Sequence, residues 1–235
     1  MSNPFAGPDT PAAVPQSLTG FDRVAWCYDA LAGLVFGASL KRAQRAALAG
    51  LPARAPHVLI LGGGTGWVLT EVLARRPHAK VLYLEASPRM LARARARLAR
   101  EKPEATAQVA FRHGTQASLA PAETFDTIIT FFVLDCIASD EIAEALARLR
   151  AALRPAAPWL LADFRPARRG WRRVLLGLMY AFFRLTTGLR ARELPDLRPA
   201  LTGLGLVPRS SRRFFFGALE AVVFATPTRA LSEKD

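Results

Sequence analysis

The chain has 235 residues, 51% of them apolar, and 32 Lys and Arg against 19 Asp and Glu, a net charge of +13. That length fits one domain with a sizeable core, and the apolar share excludes a disordered protein. A basic excess of this size suits an anionic partner (nucleic acid, a membrane surface or an acidic ligand), although the arginine, alanine and leucine richness also matches the codon habit of a GC-rich genome.

The first residues carry prolines at positions 4, 8, 11 and 15 and no apolar signal segment, so they read as a loose arm. Cys27 and Cys136 lie far apart in apolar settings. They give neither a disulfide framework nor zinc spacing and read as small core residues. A reducing, cytoplasmic setting is the expectation, with no metal. Phe21 to Gly50 has helical spacing through Val24, Tyr28, Leu31 and Val35, with Gly37 dividing it into two helices. Gly50, Pro52 and Pro56 mark a linker.

From His57 strands and helices alternate. HVLIL is a buried strand and GWVLTEVLARR a helix. KVLYLEAS is a second strand, followed by a long helix opened by Pro88. QVAFRHG and FDTIITFFVL are strands three and four. SDEIAEALARLRAAL is the next helix, with Ser139 as its expected N-cap, and PWLLADF is strand five. A very apolar helix over 171–189, a short one near Asp196 to Leu204 and a strand pair, LVPRSSRRFFF and LEAVVFATP, complete the chain. The alternation argues a parallel sheet with helices on both faces.

In such a sheet ligands sit outside the carboxyl ends of the strands, where strand order reverses. The first strand ends there in Gly62, Gly63, Gly64, Thr65 and Gly66. A dinucleotide fingerprint needs G-x-G-x-x-G, and its third glycine falls here on Trp67 or Leu69. There is no Lys-Ser/Thr pair for a P-loop. The spacing is G-x-G-x-G. The second strand ends in Glu85, about 20 residues on, where an acid accepts hydrogen bonds from ribose hydroxyls.

The stretches VLILGGGTG, LYLEASPRML, RHGTQASL and FDTIITFFVL, in this order and spacing, resemble the class I S-adenosylmethionine-dependent methyltransferases. FDRVAWCYDAL and SPRMLARAR further resemble the branch that holds the ubiquinone and menaquinone ring C-methyltransferases. The resemblance implies an α/β fold: a Rossmann-like, seven-stranded, mostly parallel sheet with helices on both faces and an N-terminal helical cap. It divides the chain into an arm (1–20), the cap (21–50), a cofactor-binding core (57–165), substrate-side helices with a terminal strand pair (166–228) and a tail (229–235). Leu61 and the Gly62 to Gly66 loop would lie under the methionine moiety, and Glu85 would hold the ribose. Ala86, Ser87 and Met90 would border the adenine, with Gly114, Thr115 and Gln116 at its far edge. Thr130, Phe131 and Phe132 would line the methyl-transfer pocket, and Tyr28 would close over the cofactor. Two positions depart from the family: Ile60 stands where the first strand usually carries an acid, and Thr115 where an acid reads the adenine amino group.

Methyl transfer needs orientation and a dry pocket more than a fixed catalytic motif. An acceptor that must lose a proton needs a base, and Asp135 and His113 are the candidates. For Asp135 a capping or solvated role competes, and for His113 a packing role. The uncharged run Val174 to Phe183 is too short to span a bilayer, which needs about 20 residues. Flanked by arginines, it reads either as a helix covered by the sheet edge or by a second subunit, or as a lipophilic lid on a membrane surface. The expected activity is methyl transfer to a small, lipophilic, quinone- or lipid-like acceptor. An aminopropyltransferase-like polyamine enzyme and a non-catalytic cofactor-binding protein are the alternatives. An RNA methyltransferase has only the charge in its favour, since no RNA module or aromatic-rich basic strand surface is present.

Overall fold

The computed structural model describes residues 36–166, 170–171, 177 and 195–227. Tyr28, Cys27, the arm, the tail and nearly all of the apolar 171–189 stretch lie outside the described residues. The described chain runs α1 (Ser39–Leu48), β1 (His57–Leu61), α2 (Trp67–Arg75), β2 (Lys80–Glu85), α3 (Pro88–Glu101) and β3 (Val109–His113). It continues with β4 (Thr127–Phe131), α4 (Ile142–Ala152), β5 (Trp159–Phe164), α5 (Leu197–Gly203), β6 (Val207–Phe214) and β7 (Leu219–Ala225).

The seven strands form one sheet in the order β3-β2-β1-β4-β5-β7-β6. The first five are parallel, and β7 runs antiparallel to both β5 and β6. This is the expected seven-stranded, mostly parallel architecture. Its central strands read as unbroken apolar runs because both faces are covered. On β1, Val58 and Ile60 pack with residues of α1, α2 and α3. Leu59 and Leu61 point the other way, into a second cluster with α4 and α5. The period of two sends alternate residues of one strand to opposite cores.

The edge strand β6 is mostly exposed, carries Pro208, Arg209, Arg212 and Arg213, and is bulged between Pro208 and Ser210. Proline, charge and a bulge each discourage another strand from pairing there.

Residues 39–48, within the expected cap, form α1, which packs on β5, β6 and β7. Ala43, Ala47 and Leu48 are buried on its inner face. Gly37, at φ +54°, does interrupt the helix just before it. Ser139 does not cap α4: that helix starts at Ile142 after Glu141, with no side-chain cap. The amides of Glu141 and Ile142 bond the carbonyl of Ala138, which leaves Ser139 inside the preceding turn.

Registers align the carboxyl ends. Leu61 lies beside Leu84 and Thr130, Glu85 beside His113, and Phe131 beside Ala162. The chain order reverses between β1 and β4, and a cavity opens over that edge.

Candidate functional site

The cavity measures 420 Å³ and is walled by the β1–α2 loop, the ends of β2, β3 and β4 and the start of α1. That volume lies in the range of small-molecule sites, about 300–1,000 Å³. Leu61, Gly62, Gly63, Gly64 and Thr65 form one wall, and Glu85, Ala86 and Met90 another. Gly114, Thr115 and Gln116 close one end, and Phe131 and Phe132 the other.

Gly64 sits at φ +63°, and a Cβ there would meet only Met90 Sδ at 3.8 Å. A hydrogen therefore keeps open a space that any side chain would fill. Tyr83, buried on β2, donates its hydroxyl to the Gly64 carbonyl at 2.9 Å. Glu85 Oε2 accepts the Gly64 amide at 2.9 Å, and Oε1 accepts the Ser87 amide at 3.0 Å. Two backbone amides thus fix the carboxylate in the cavity wall, where its oxygens act as hydrogen-bond acceptors.

The remaining expected residues divide. Gly66 does not line the cavity. At φ +89°, its missing Cβ would stand 2.8 Å from Ala94 Cα, so it admits α3 against the loop. The close helix approach denied to Trp67 and Leu69 is made here instead. Ser87 is buried and caps α3, its hydroxyl accepting the Met90 amide at 3.1 Å. Thr130 points away from the cavity and accepts the indole N–H of Trp159 at 2.8 Å. Thr115 reaches the cavity wall while its hydroxyl caps the turn at Gln116–Ser118. Ile60 is buried in the first core, which leaves no room for the acid the family places there.

Neither candidate base lines the cavity. His113 Nε2 lies 3.0 Å from the Ala86 carbonyl and ties the ends of β3 and β2 together. Asp135, in a 3-10 turn after β4, is 5% exposed, so it is neither a solvated acid nor a helix cap. Beside it Cys136, read as core, lines the cavity, with Sγ 3.6 Å from Asp135 Oδ1. Burial first, then the charges of Asp135, Asp163 and Glu85, push its thiol well up.

Several wall residues carried no motif. Lys41 and Gln44 arrive on one face of α1, three residues apart. Trp67 lies in the wall with the Lys41 ammonium 5.6 Å and the Arg45 guanidinium 5.4 Å from its ring centre. Arg97 reaches in from α3 to Thr65 Oγ1 at 3.4 Å. Phe132 holds φ +54°, an uncommon conformation for a bulky residue, and its amide bonds the Ala162 carbonyl at 2.8 Å.

Residues 59–158 match the profile of the family described as Methyltransferase domain. Over that stretch, a little under half of its length, the chain is similar to a methyltransferase domain. Solved structures agree on its fold. The mitomycin 7-O-methyltransferase superposes with TM-score 0.62 at 21% identity over 81% of this chain and 55% of its own. This chain therefore spans little more than half of that enzyme. The 1,6-didemethyltoxoflavin N1-methyltransferase of Burkholderia thailandensis, solved with its substrate and S-adenosylhomocysteine, gives 0.63 at 22% identity over 93% of each chain. The N-methyltransferase NodS of Bradyrhizobium japonicum, with S-adenosylhomocysteine, gives 0.67 at 16% identity over 91% of this chain and all of its own. No curated protein sequence matches the chain.

The walls of the cavity fit S-adenosylmethionine, the methyl donor that the sequence resemblance implies. Gly64 clears a floor that a Cβ would obstruct, Glu85 offers fixed acceptors, and Trp67, Met90, Phe131 and Phe132 offer apolar and aromatic surface.

Proposed function

We propose that the chain transfers a methyl group from S-adenosylmethionine to a small, apolar, ring-bearing acceptor of quinone- or lipid-like character. The observation that carries this is the aromatic file leaving the cavity. Phe132, in the wall, lies 5.2 Å from Phe164, which lies 5.3 Å from Phe36, itself 5.1 Å from Phe215. Trp171 and Phe216 end the file at the surface, 53% and 82% exposed. A planar apolar acceptor in the cavity would meet the ring of Phe132, the inner end of this packed file. The exposed end suits a membrane surface or a second copy of the chain, and Arg212 and Arg213 nearby favour anionic headgroups. Among the described residues no helix is long and apolar enough to cross a membrane.

When bound, the cofactor supplies an electrophilic methyl group. The chain's own part is to hold and orient. Glu85 would accept the ribose hydroxyls, Met90, Ala86 and Gln116 would flank the adenine, and Lys41 and Gln44 would face the amino-acid end. Phe131 and Phe132 would exclude water from the reacting centre. Glu85 is the one carboxylate in the cavity wall among the described residues, which disfavours a polyamine acceptor, a polycation that needs several.

Calorimetric titration with S-adenosylhomocysteine, with NAD as control, tests the cofactor half of this reading. Micromolar binding of the first alone is expected, and tight NAD binding would overturn it. Methyl transfer from labelled cofactor to short-chain quinols, compared with spermidine, tests the acceptor half.

A further inference from the structure

Asp163, near the end of β5, is 3% exposed. Its Oδ1 accepts the Phe164 amide at 2.8 Å, and its Oδ2 has no hydrogen-bond partner. A buried polar atom left unmet is costly and asks for an explanation. The groups facing Asp163 are mainly acids. Asp135 acts on it from the turn after β4, and Glu220 is its register partner on β7. Among the described residues the basic groups at that edge are engaged: Arg198 and Arg165 lie 2.5 and 3.2 Å from the Glu220 carboxylate, with Ser211 at 2.7 Å. Burial first, then the Asp135 charge, pushes the Asp163 carboxyl well up, against the pull of the Phe164 amide.

Cys136 connects this pair to the cavity. It lines the wall, lies against Asp135, and feels the charges of Asp135, Asp163 and Glu85 together. Glu85 stands in the cavity wall itself, while Asp135 and Asp163 lie buried outside it, reached through Cys136. Such a place favours a cation, and it holds a proton when no cation is there.

We propose that Asp163, coupled to Asp135, matches the charge of the bound cofactor: it releases its proton when S-adenosylmethionine, a sulfonium, occupies the cavity and keeps it when neutral S-adenosylhomocysteine does. This rests on the methyltransferase reading. Two ionised carboxylates with a sulfonium carry the same net charge as one ionised and one protonated carboxyl with a thioether, so the buried charge is the same in both complexes. The site would then favour methyl donor over spent product more strongly as pH rises.

The test is calorimetric titration of the full chain with each ligand, in buffers of different ionisation enthalpy, from pH 6 to 9. The sulfonium also lowers the pKa of the ligand's own amino group, so each ligand's amino ionisation, measured free in solution, is subtracted, and the remaining difference in proton release isolates the site. S-adenosylmethionine should release up to about one proton more than S-adenosylhomocysteine, and the affinity ratio should shift by up to about tenfold per pH unit. Asp163→Asn should abolish both differences while S-adenosylhomocysteine still binds. Asp135→Asn, which removes the charge that keeps Asp163 protonated, should shrink them. Equal proton release for both ligands in the unmodified chain overturns the proposal and leaves the methyltransferase reading intact. A difference that survives in Asp163→Asn also overturns it. Binding of neither ligand overturns both.

Discussion

Gly64 and Gly66 are both left-handed, at φ +63° and +89°, yet their missing side chains would meet different things. At Gly64 the missing Cβ faces open cavity, and at Gly66 it faces the backbone of α3. Gly64→Arg should therefore fold, losing about 1–2 kcal/mol to backbone strain, and should show no S-adenosylhomocysteine binding by calorimetry. Gly66→Ala should lose about 1–3 kcal/mol to overpacking in addition to that strain, read as a lower midpoint in urea. Retained binding in folded Gly64→Arg would show that the loop is not the site. At this scale the sequence marked the glycines but not their division of labour. Lys41, Gln44, Arg97 and Cys136 carried no motif, because each is brought to the wall by an element that contacts it from elsewhere in the chain.

Among the elements, α3 is held by its cap. Ser87→Ala removes the hydroxyl that accepts the Met90 amide and should cost about 1 kcal/mol, measured by chemical denaturation. The loop after β3, which carries Thr115 and Gln116 to the cavity, is pinned by Arg112. Its guanidinium bonds both Glu123 oxygens at 2.9 and 2.7 Å and the Ser118 carbonyl at 3.1 Å. Burial raises the Glu123 carboxyl, but Arg112 and the Ala120 amide outweigh it and hold it below the usual carboxylate range. A depressed folded value stabilises above the unfolded value and loses that contribution as pH falls through the folded one. Melting temperature should therefore fall on acidification below about pH 4.5, and Glu123→Gln should flatten that fall. An unchanged acid limb in Glu123→Gln would refute the assignment. Asp163 has the opposite sign. Its raised folded value makes ionisation costly, so stability is lost as pH rises through it, and Asp163→Asn should hold its melting temperature better in alkali. Strand type was legible wherever the run was buried on both faces, and boundaries to within three residues, the largest miss being the end of β4 at Phe131 rather than Leu134. The N-terminus of α4 was not, because Ser139 has the right chemistry but sits in a turn set by Ala138.

For the whole molecule, the proposed acceptor route ends on an aromatic knuckle held against its own backbone preference. Phe215 and Phe216 take φ +46° and +53°, values that cost a bulky side chain energy and glycine almost none. Phe216→Gly should therefore leave the melting temperature unchanged or raise it, a gain of about 0.5–1 kcal/mol, while weakening binding to anionic phosphatidylglycerol vesicles in a flotation assay. Lower stability with unchanged vesicle binding would make the knuckle a packing feature. The net charge of +13 alone pointed equally to nucleic acid, membrane or acidic ligand. The structure adds position: Arg209, Arg212 and Arg213 stand exposed on the edge strand β6.

The sequence by itself determined the sheet, its order of elements and the ligand edge. Buried parallel strands announce themselves as apolar runs, and a tight turn announces itself as glycine, since both are local demands on the chain. Only the tertiary structure decided which side chains meet there. Thr130 turns to Trp159, Gly66 to Ala94 and Asp135 into the interior beside Asp163, while Lys41 and Arg97 enter from helices. Those outcomes depend on strand register and helix packing between segments far apart in sequence, which no local pattern encodes.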